Sequence, residues 1–359
     1  MQILTEPIGS IPRPLELVEG LKAFSSGDIQ AAELEILFER ALKDTLQRFE
    51  ASGSPVITDG EQTKPSFATY PLAGSTQLDP NGIVIPIADG HTRQLPKLNG
   101  GPFHYQVYAG DFYKRAALMT RLPVKQAVIS GSALSLLYPA EGLVDYGREA
   151  FLNDLYAEHE KDIRSGLDAG AHTVQIDFTE ARLALKLDPS RALLRSFIDL
   201  NNTVLNRLTP AERQRVGVHS CPGGDHDSTH SADIPYSELL PLLFELNVTN
   251  FYLQYAGEYN KRQVLEVIKE NLRPGTRVFI GVTDVLSPRI ETPQEICDLI
   301  LEAVQYIPPA QLGTTDDCGF SPFADDTSTS RDIAFEKIRA RIEGTRMAEK
   351  ALGKMQIAL

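Results

Sequence analysis

The sequence has no tryptophan, four methionines and only three cysteines in 359 residues. Three cysteines are too few, and odd in number, for a disulfide framework, and they suit a reducing compartment. The lack of tryptophan removes a common anchor of protein interfaces. Basic residues are also short: 35 Lys and Arg stand against 48 Asp and Glu, for a net charge of −13. Phosphate backbones and anionic bilayers repel a chain of that sign, which argues against a general nucleic-acid or membrane-surface partner. No apolar run approaches the ~20 residues of a membrane helix. The start, Met1-Gln2-Ile3-Leu4-Thr5-Glu6-Pro7, has neither a basic n-region nor an apolar h-region, so the cytoplasm is the expected location.

What is present is core-forming material in a repeating order. Apolar residues make up 42% of the chain. Eight short β-branched runs read as strands: Ile3–Gly9, Pro55–Asp59, Gln126–Ser130, Thr173–Phe178, Arg215–Ser220, Asn250–Tyr255, Arg277–Val282 and Leu312–Asp316. Long amphipathic stretches separate them, at 29–52, 145–169, 190–208, 236–246, 260–271, 293–306 and 330–352. Thr292-Pro293 with Glu295 reads as a helix start. Alternation of this kind predicts an α/β fold, a single (β/α)8 TIM barrel, with residues 1–359 forming one catalytic domain. A doubly wound sheet is the competitor, but no GxGxxG follows the first strand. Residues 62–125 break the rhythm. Asn81-Gly82 and Asp89-Gly90 flank Ile83–Ile87 there and predict a β-hairpin insertion after the second strand.

Barrel active sites form at the C-terminal ends of the strands, so chemistry is sought there. Asp59-Gly60-Glu61, Asp177, His219-Ser220-Cys221, Gln254-Tyr255, Thr283-Asp284 and Asp316-Asp317-Cys318 all fall at such ends. His219 and Cys221, two apart on a strand, face the same side. Cys318 leaves another strand at the same mouth. One His and two Cys suit Zn²⁺, with an open position for a substrate thiol; the bland alternative is a core histidine with two small buried thiols. Cys297 falls on the apolar face of the 293–306 helix and reads as packing. His226 and His230 read as polar surface.

Taken in order, Ile8-Gly9-Ser10-Ile11-Pro12-Arg13, Asp59-Gly60-Glu61, Val174-Gln175-Ile176-Asp177, Val218-His219-Ser220-Cys221, Gly281-Val282-Thr283-Asp284 and Asp316-Asp317-Cys318-Gly319 resemble the catalytic half of the cobalamin-independent methionine synthase family and its stand-alone relatives. The resemblance runs nearly end to end. It implies a zinc-dependent methyltransferase that activates homocysteine as a thiolate and takes a methyl group from a methyltetrahydrofolate-type or other donor. It implies His219, Cys221 and Cys318 as zinc ligands, Asp177 and Glu61 as partners of the homocysteine amino group, and Ile8, Gly9 and Ser10 as the seat of its carboxylate. Two carboxylates suit an ammonium, and backbone N–H groups with a hydroxyl suit a carboxylate. The bland alternative for the acids is barrel-mouth solvation, or an ion pair with Arg182 or Lys64.

Two positions depart from the family pattern. Gln254 stands where a further zinc-binding Glu is expected, with Glu258 a few residues on as an alternative. Leu286 stands where a donor-activating His is expected, which leaves Asp284 as the acid. A related thiol alkyltransferase of the epoxyalkane:coenzyme M transferase type is the second reading. A metal-free decarboxylase-like barrel would need arginines at the mouth, of which Arg13, Arg182 and Arg289 are the candidates. A non-catalytic barrel is the last alternative. The expected partners are small molecules, with room for a homodimer.

Overall fold

Runs that are apolar at nearly every position, such as Val278-Phe279-Ile280-Gly281-Val282, are stable where both sheet faces are covered. In the computed structural model, which describes residues 2–357, they form seven strands. These are β1 (Leu4–Thr5), β2 (Gln126–Ile129), β3 (Val174–Asp177), β4 (Val216–Ser220), β5 (Asn250–Leu253), β6 (Arg277–Gly281) and β7 (Leu312–Thr315). Their order is β1-β7-β6-β5-β4-β3-β2, and every pairing is parallel.

The remaining expected strand, Pro55–Asp59, is reduced to one parallel bridge, Ile57 to Val124. Ile57 N–H donates to the Pro123 carbonyl at 2.9 Å, and the Ile57 carbonyl accepts from Lys125 N–H at 2.8 Å. Pro55 and Pro123 lack the donors that a longer ladder would need. On the other side, Thr58 Oγ1 donates to the Gly9 carbonyl at 2.7 Å, where a backbone bond would otherwise stand. This segment lies between β1 and β2 and closes the ring, so the barrel has seven laddered strands and one bridged one. The first strand is shorter than expected because Pro7 interrupts it, one residue after Glu6 N–H bonds the Thr314 carbonyl.

The expected helices form as Ala31–Ser52, Arg148–Ala169, Ala192–Leu205, Tyr236–Leu243, Lys261–Asn271, Pro293–Ala303 and Arg331–Ile357. Thr292 and Glu295 make a reciprocal capping box, and Cys297 is buried on that helix as expected. Leu15–Ser26, Ala109–Ala117 and Glu180–Leu187 are helices that the sequence pattern did not announce. Their apolar stripes span only two or three turns, too few for a clear period.

In the insertion, Val84–Pro86 pairs antiparallel with Thr92–Gln94, and Leu78–Asp79 with Lys97–Leu98. Gly90, at φ +98°, makes the tight turn. The hairpin is fastened across the C-terminal mouth of the barrel. Ala88 N–H donates to the Thr229 carbonyl at 2.9 Å. Arg93 forks between Asp225, in the loop after β4, and Asp325, in the loop after β7. His91 Nε2 lies 2.9 Å from the same Asp225.

Candidate functional site

Parallel register sets the level at which each strand end arrives. Asp177, the last residue of β3, is paired with His219 of β4, and His219 with Tyr252 of β5. Cys221 follows His219 on the same side, and Cys318 follows β7. The result brings together residues 97 positions apart: Cys221 Sγ and Cys318 Sγ are 3.0 Å from each other, with no disulfide. One ligand atom each from His219, Cys221 and Cys318 lies within 4.8 Å of the others, and all three residues are buried.

The protonation of this cluster follows from its contacts. His219 Nδ1 donates to the Tyr252 carbonyl at 3.2 Å, which in the neutral ring leaves Nε2 with its lone pair. Burial pushes the ring down, but the Cys221 sulfur beside it outweighs this and raises it above 6.5. That Nε2 is buried and has no hydrogen-bond partner. A hydrogen bond from Cys318 holds the Cys221 thiol well below its ordinary range; burial opposes this and His219 reinforces it. The same bond, with burial, pushes Cys318 up. A partnerless imidazole nitrogen facing two buried sulfurs, one already disposed to ionise, fits the donor chemistry of Zn²⁺.

A cavity of about 30 Å³ adjoins the cluster. Ile8, Gly9, Ser10, Glu61, Asp177, His219 and Cys318 all line it, so residues from five strand ends share one small space. The carbonyls of Gly9 and Ser10 are taken by Thr58 Oγ1 and Phe320 N–H. Ser10 Oγ accepts from Ser321 N–H at 3.2 Å and remains free to donate its own proton. Gly319 permits that approach, since a Cβ there would stand 2.1 Å from Ser10 Oγ.

The two acids differ in their surroundings. Glu61 lies in the left-handed region at φ +55°, directly after Gly60 at +65°, a strained arrangement for a side chain other than glycine. It pairs with the buried Lys64 at 3.0 Å, as the bland reading allowed. Asp177 accepts from Gln175 Nε2 at 2.7 Å. Burial pushes Asp177 up to about 7, with His219 opposing and Glu61 adding. Arg182 is not its partner.

A second small cavity is lined by Gln254, Asp284, Leu286, Asp317 and Cys318. Asp284 is half-buried, with Oδ1 accepting from Leu286 N–H at 3.0 Å. Asp317 has a role that its sequence position did not reveal. Its carboxylate accepts from the N–H groups of Tyr255, Ala256 and Gly257 at 2.8, 2.9 and 2.6 Å, and so shapes the turn that carries Gln254.

Several residues are committed elsewhere. Glu258 is ion-paired to Arg182 at 2.7 Å and buried with it. Arg13 spends its guanidinium on the carbonyls of Ser321, Glu61 and Lys64, and Arg289 pairs with Glu295. The arginines that a decarboxylase-like mouth would need are therefore engaged. His230, expected at the surface, is buried against Ser231 Oγ at 2.8 Å. His226 stands apart from it, beside Asp326.

Comparison with known proteins gives a consistent result. The family described as the catalytic domain of cobalamin-independent synthase matches residues 3–331. The chain is 24% identical over 354 residues to a methionine synthase of Pyrococcus abyssi, covering 98% of this chain and 94% of that one. It is 22% identical over 369 residues to a methionine synthase of Sulfurisphaera tokodaii, covering 97% and 93%. In fold it resembles a B12-independent methionine synthase from Shewanella sp. W3-18-1, solved with selenomethionine, at a TM-score of 0.78 and 21% identity over the whole of both chains.

Proposed function

Because the chain belongs to the family of cobalamin-independent synthase catalytic domains, we propose that it transfers a methyl group to the thiol of homocysteine, forming methionine, at a zinc centre held by His219, Cys221 and Cys318. The observation that carries this reading is the convergence of the three ligand atoms within 4.8 Å around a partnerless His219 Nε2. Zn²⁺ held there supplies a lowered thiol pKa while leaving the sulfur nucleophilic. Gln254 is the fourth protein group offered, through its side-chain oxygen.

The remaining roles fall to the chain itself. Asp177 and Glu61 hold the homocysteine ammonium from two strand ends. Ile8, Gly9 and Ser10 receive its carboxylate through backbone N–H groups and the Ser10 hydroxyl. Fixing both ends of the amino acid aims its thiol at the cluster and removes orientational freedom from the encounter. Asp284, in the small cavity beside Gln254 and Cys318, is the acid available where a donor requires one. Three unpaired thiols suit a reducing compartment, and we assign the protein to the cytoplasm.

The test uses metal-replete protein. About one equivalent of zinc and mass-verified methionine from homocysteine plus a methyl donor are expected. Cys221→Ser should lose both. Full activity in that variant, or less than ~0.1 equivalent of zinc in the active wild type, refutes the site.

A further inference from the structure

A cavity of about 570 Å³ lies at the barrel mouth under the insertion hairpin. It shares Phe67, Thr179, Gly223 and Gly224 with the small cavity at the His219 cluster, so the two spaces adjoin. Its volume is within the range of small-molecule sites. Its rim carries apolar side chains left open to water: Ile83, Val84 and Leu187 are 43%, 52% and 67% exposed.

The charges in this wall are mostly negative: Glu180, Asp225 and Asp325 stand against Arg93. Arg93 is the only Lys or Arg among the described lining residues, and its guanidinium is already forked between Asp225 and Asp325. His230 is held neutral, because burial pushes it down to about 4. Glu180 is the unexplained group. It is 7% exposed, and its Oε1 accepts from Ser130 Oγ and Ser132 Oγ at 2.5 Å each. Its Oε2 is buried with no partner at all. Burial pushes Glu180 up to about 7, with the Ser130 and Ser132 hydrogen bonds opposing, so its ionised form is favoured when a ligand supplies the missing counter-charge.

We propose that this cavity receives the methyl donor and selects an onium cation, a methylsulfonium or methylammonium group on an apolar body, with Glu180 as its counter-charge. The inference rests on the methyl-transfer reading above. Phe67 lines the cavity as well, and an aromatic ring there adds attraction for such a cation; the Phe323 ring is already covered by the Arg93 guanidinium, 4.0 Å from its centroid. A polyanionic donor finds no free base in this wall. The step balances without a further reactant. The homocysteine thiolate sulfur forms a bond to the methyl carbon, and the carbon–sulfur or carbon–nitrogen bond of the onium breaks. Its electron pair stays on the departing group, which leaves as a neutral thioether or amine and needs no proton.

Metal-replete enzyme with homocysteine would be offered S-adenosylmethionine, S-methylmethionine, glycine betaine, methyltetrahydrofolate and methylcobalamin in parallel. Methionine from at least one onium compound is expected. Glu180→Gln should weaken that donor, in KM and in equilibrium dialysis, by ~10-fold or more, while homocysteine affinity and zinc content stay unchanged. Leu187→Lys, at an exposed rim position that tolerates the change, should weaken it ~3-fold or more by like-charge repulsion. Turnover of methyltetrahydrofolate or methylcobalamin but of no onium compound overturns this inference and leaves methyl transfer standing. Turnover of none, with zinc and homocysteine bound, overturns both. Onium turnover unaffected by either substitution overturns the assignment of the cavity.

Discussion

Replacing Arg93 by Met should unfasten the insertion hairpin from the barrel mouth, and the loss should grow with pH. Arg93 holds two carboxylates of unequal worth. Asp325 is 61% exposed at its side chain, so its pairing is worth ~0–1 kcal/mol. Asp225 is 1% exposed, and removing the partner of a buried charge costs ~3–5 kcal/mol. His91 softens this, since its Nε2 lies 2.9 Å from Asp225 and its Nδ1 2.6 Å from Asp89. The hydrogen bond with Asp225 is the main reason that His91 is raised above 6.5, with burial opposing and Asp89 adding. A raised histidine contributes stability that is complete below its unfolded pKa and disappears as pH climbs through the folded value. The variant should therefore be only mildly weakened at pH 6 and weakened by ~3 kcal/mol at pH 9. Urea titration at both pH values measures the total, and amide exchange at Ile87 and Leu95, whose N–H groups bond His91 and Ile83 carbonyls, localises it. A loss below ~1 kcal/mol at pH 9, or one equal at the two pH values, refutes the reasoning.

Gly319→Ala forces a Cβ to 2.1 Å from Ser10 Oγ; homocysteine KM should rise ~10-fold with little change in kcat, and an unchanged KM contradicts the placement of the carboxylate. Asp317→Ala strands three backbone N–H groups and should cost ~3 kcal/mol in urea unfolding, with less than ~1 kcal/mol counting against it. His159 is buried with both ring nitrogens partnerless, and burial pushes it down to about 4. The unfolded chain binds a proton there between pH 6.5 and 4 while the folded chain resists, so stability falls as pH drops through that window. His159→Leu should gain ~1–2 kcal/mol at pH 7 and flatten the acid limb; an acid limb as steep as wild type speaks against it.

The barrel was legible because its strands are buried on both faces and so are apolar at nearly every position. The strand ends were legible for the opposite reason: Asp177, His219, Cys221 and Cys318 are chemistry-bearing residues placed where apolar runs stop. The one strand that came out as a bridge, Pro55–Asp59, has the right residue types but meets a proline on its partner, Pro123, which only the pairing reveals. The hairpin turn at Asp89-Gly90 is local and was readable. The fork of Arg93 onto Asp225 and Asp325 was not, because its partners lie 132 and 232 residues away. Glu258 looked free for a metal until Arg182 was found beside it, from 76 residues upstream. Partners this distant leave no periodic trace. The left-handed backbone of Glu61 was equally hidden, since only Gly60 before it hints at an unusual turn.

The ring closes between its oldest and youngest segments. Leu4 and Thr5 pair with Gly313 and Thr314, Ile3 N–H donates to Glu349, and the buried Arg341 bonds the Glu6 carbonyl at 2.7 Å. During synthesis, the first strand therefore waits for roughly 300 residues before its β7 partner exists, ~15–60 s at ~5–20 residues per second. Throughout that interval the early barrel strands have one unpaired edge and an unfilled axis, the state most exposed to misassembly. Shortening of the final helix should accordingly reduce the yield of folded chains during expression more than it reduces the stability of chains that have already closed.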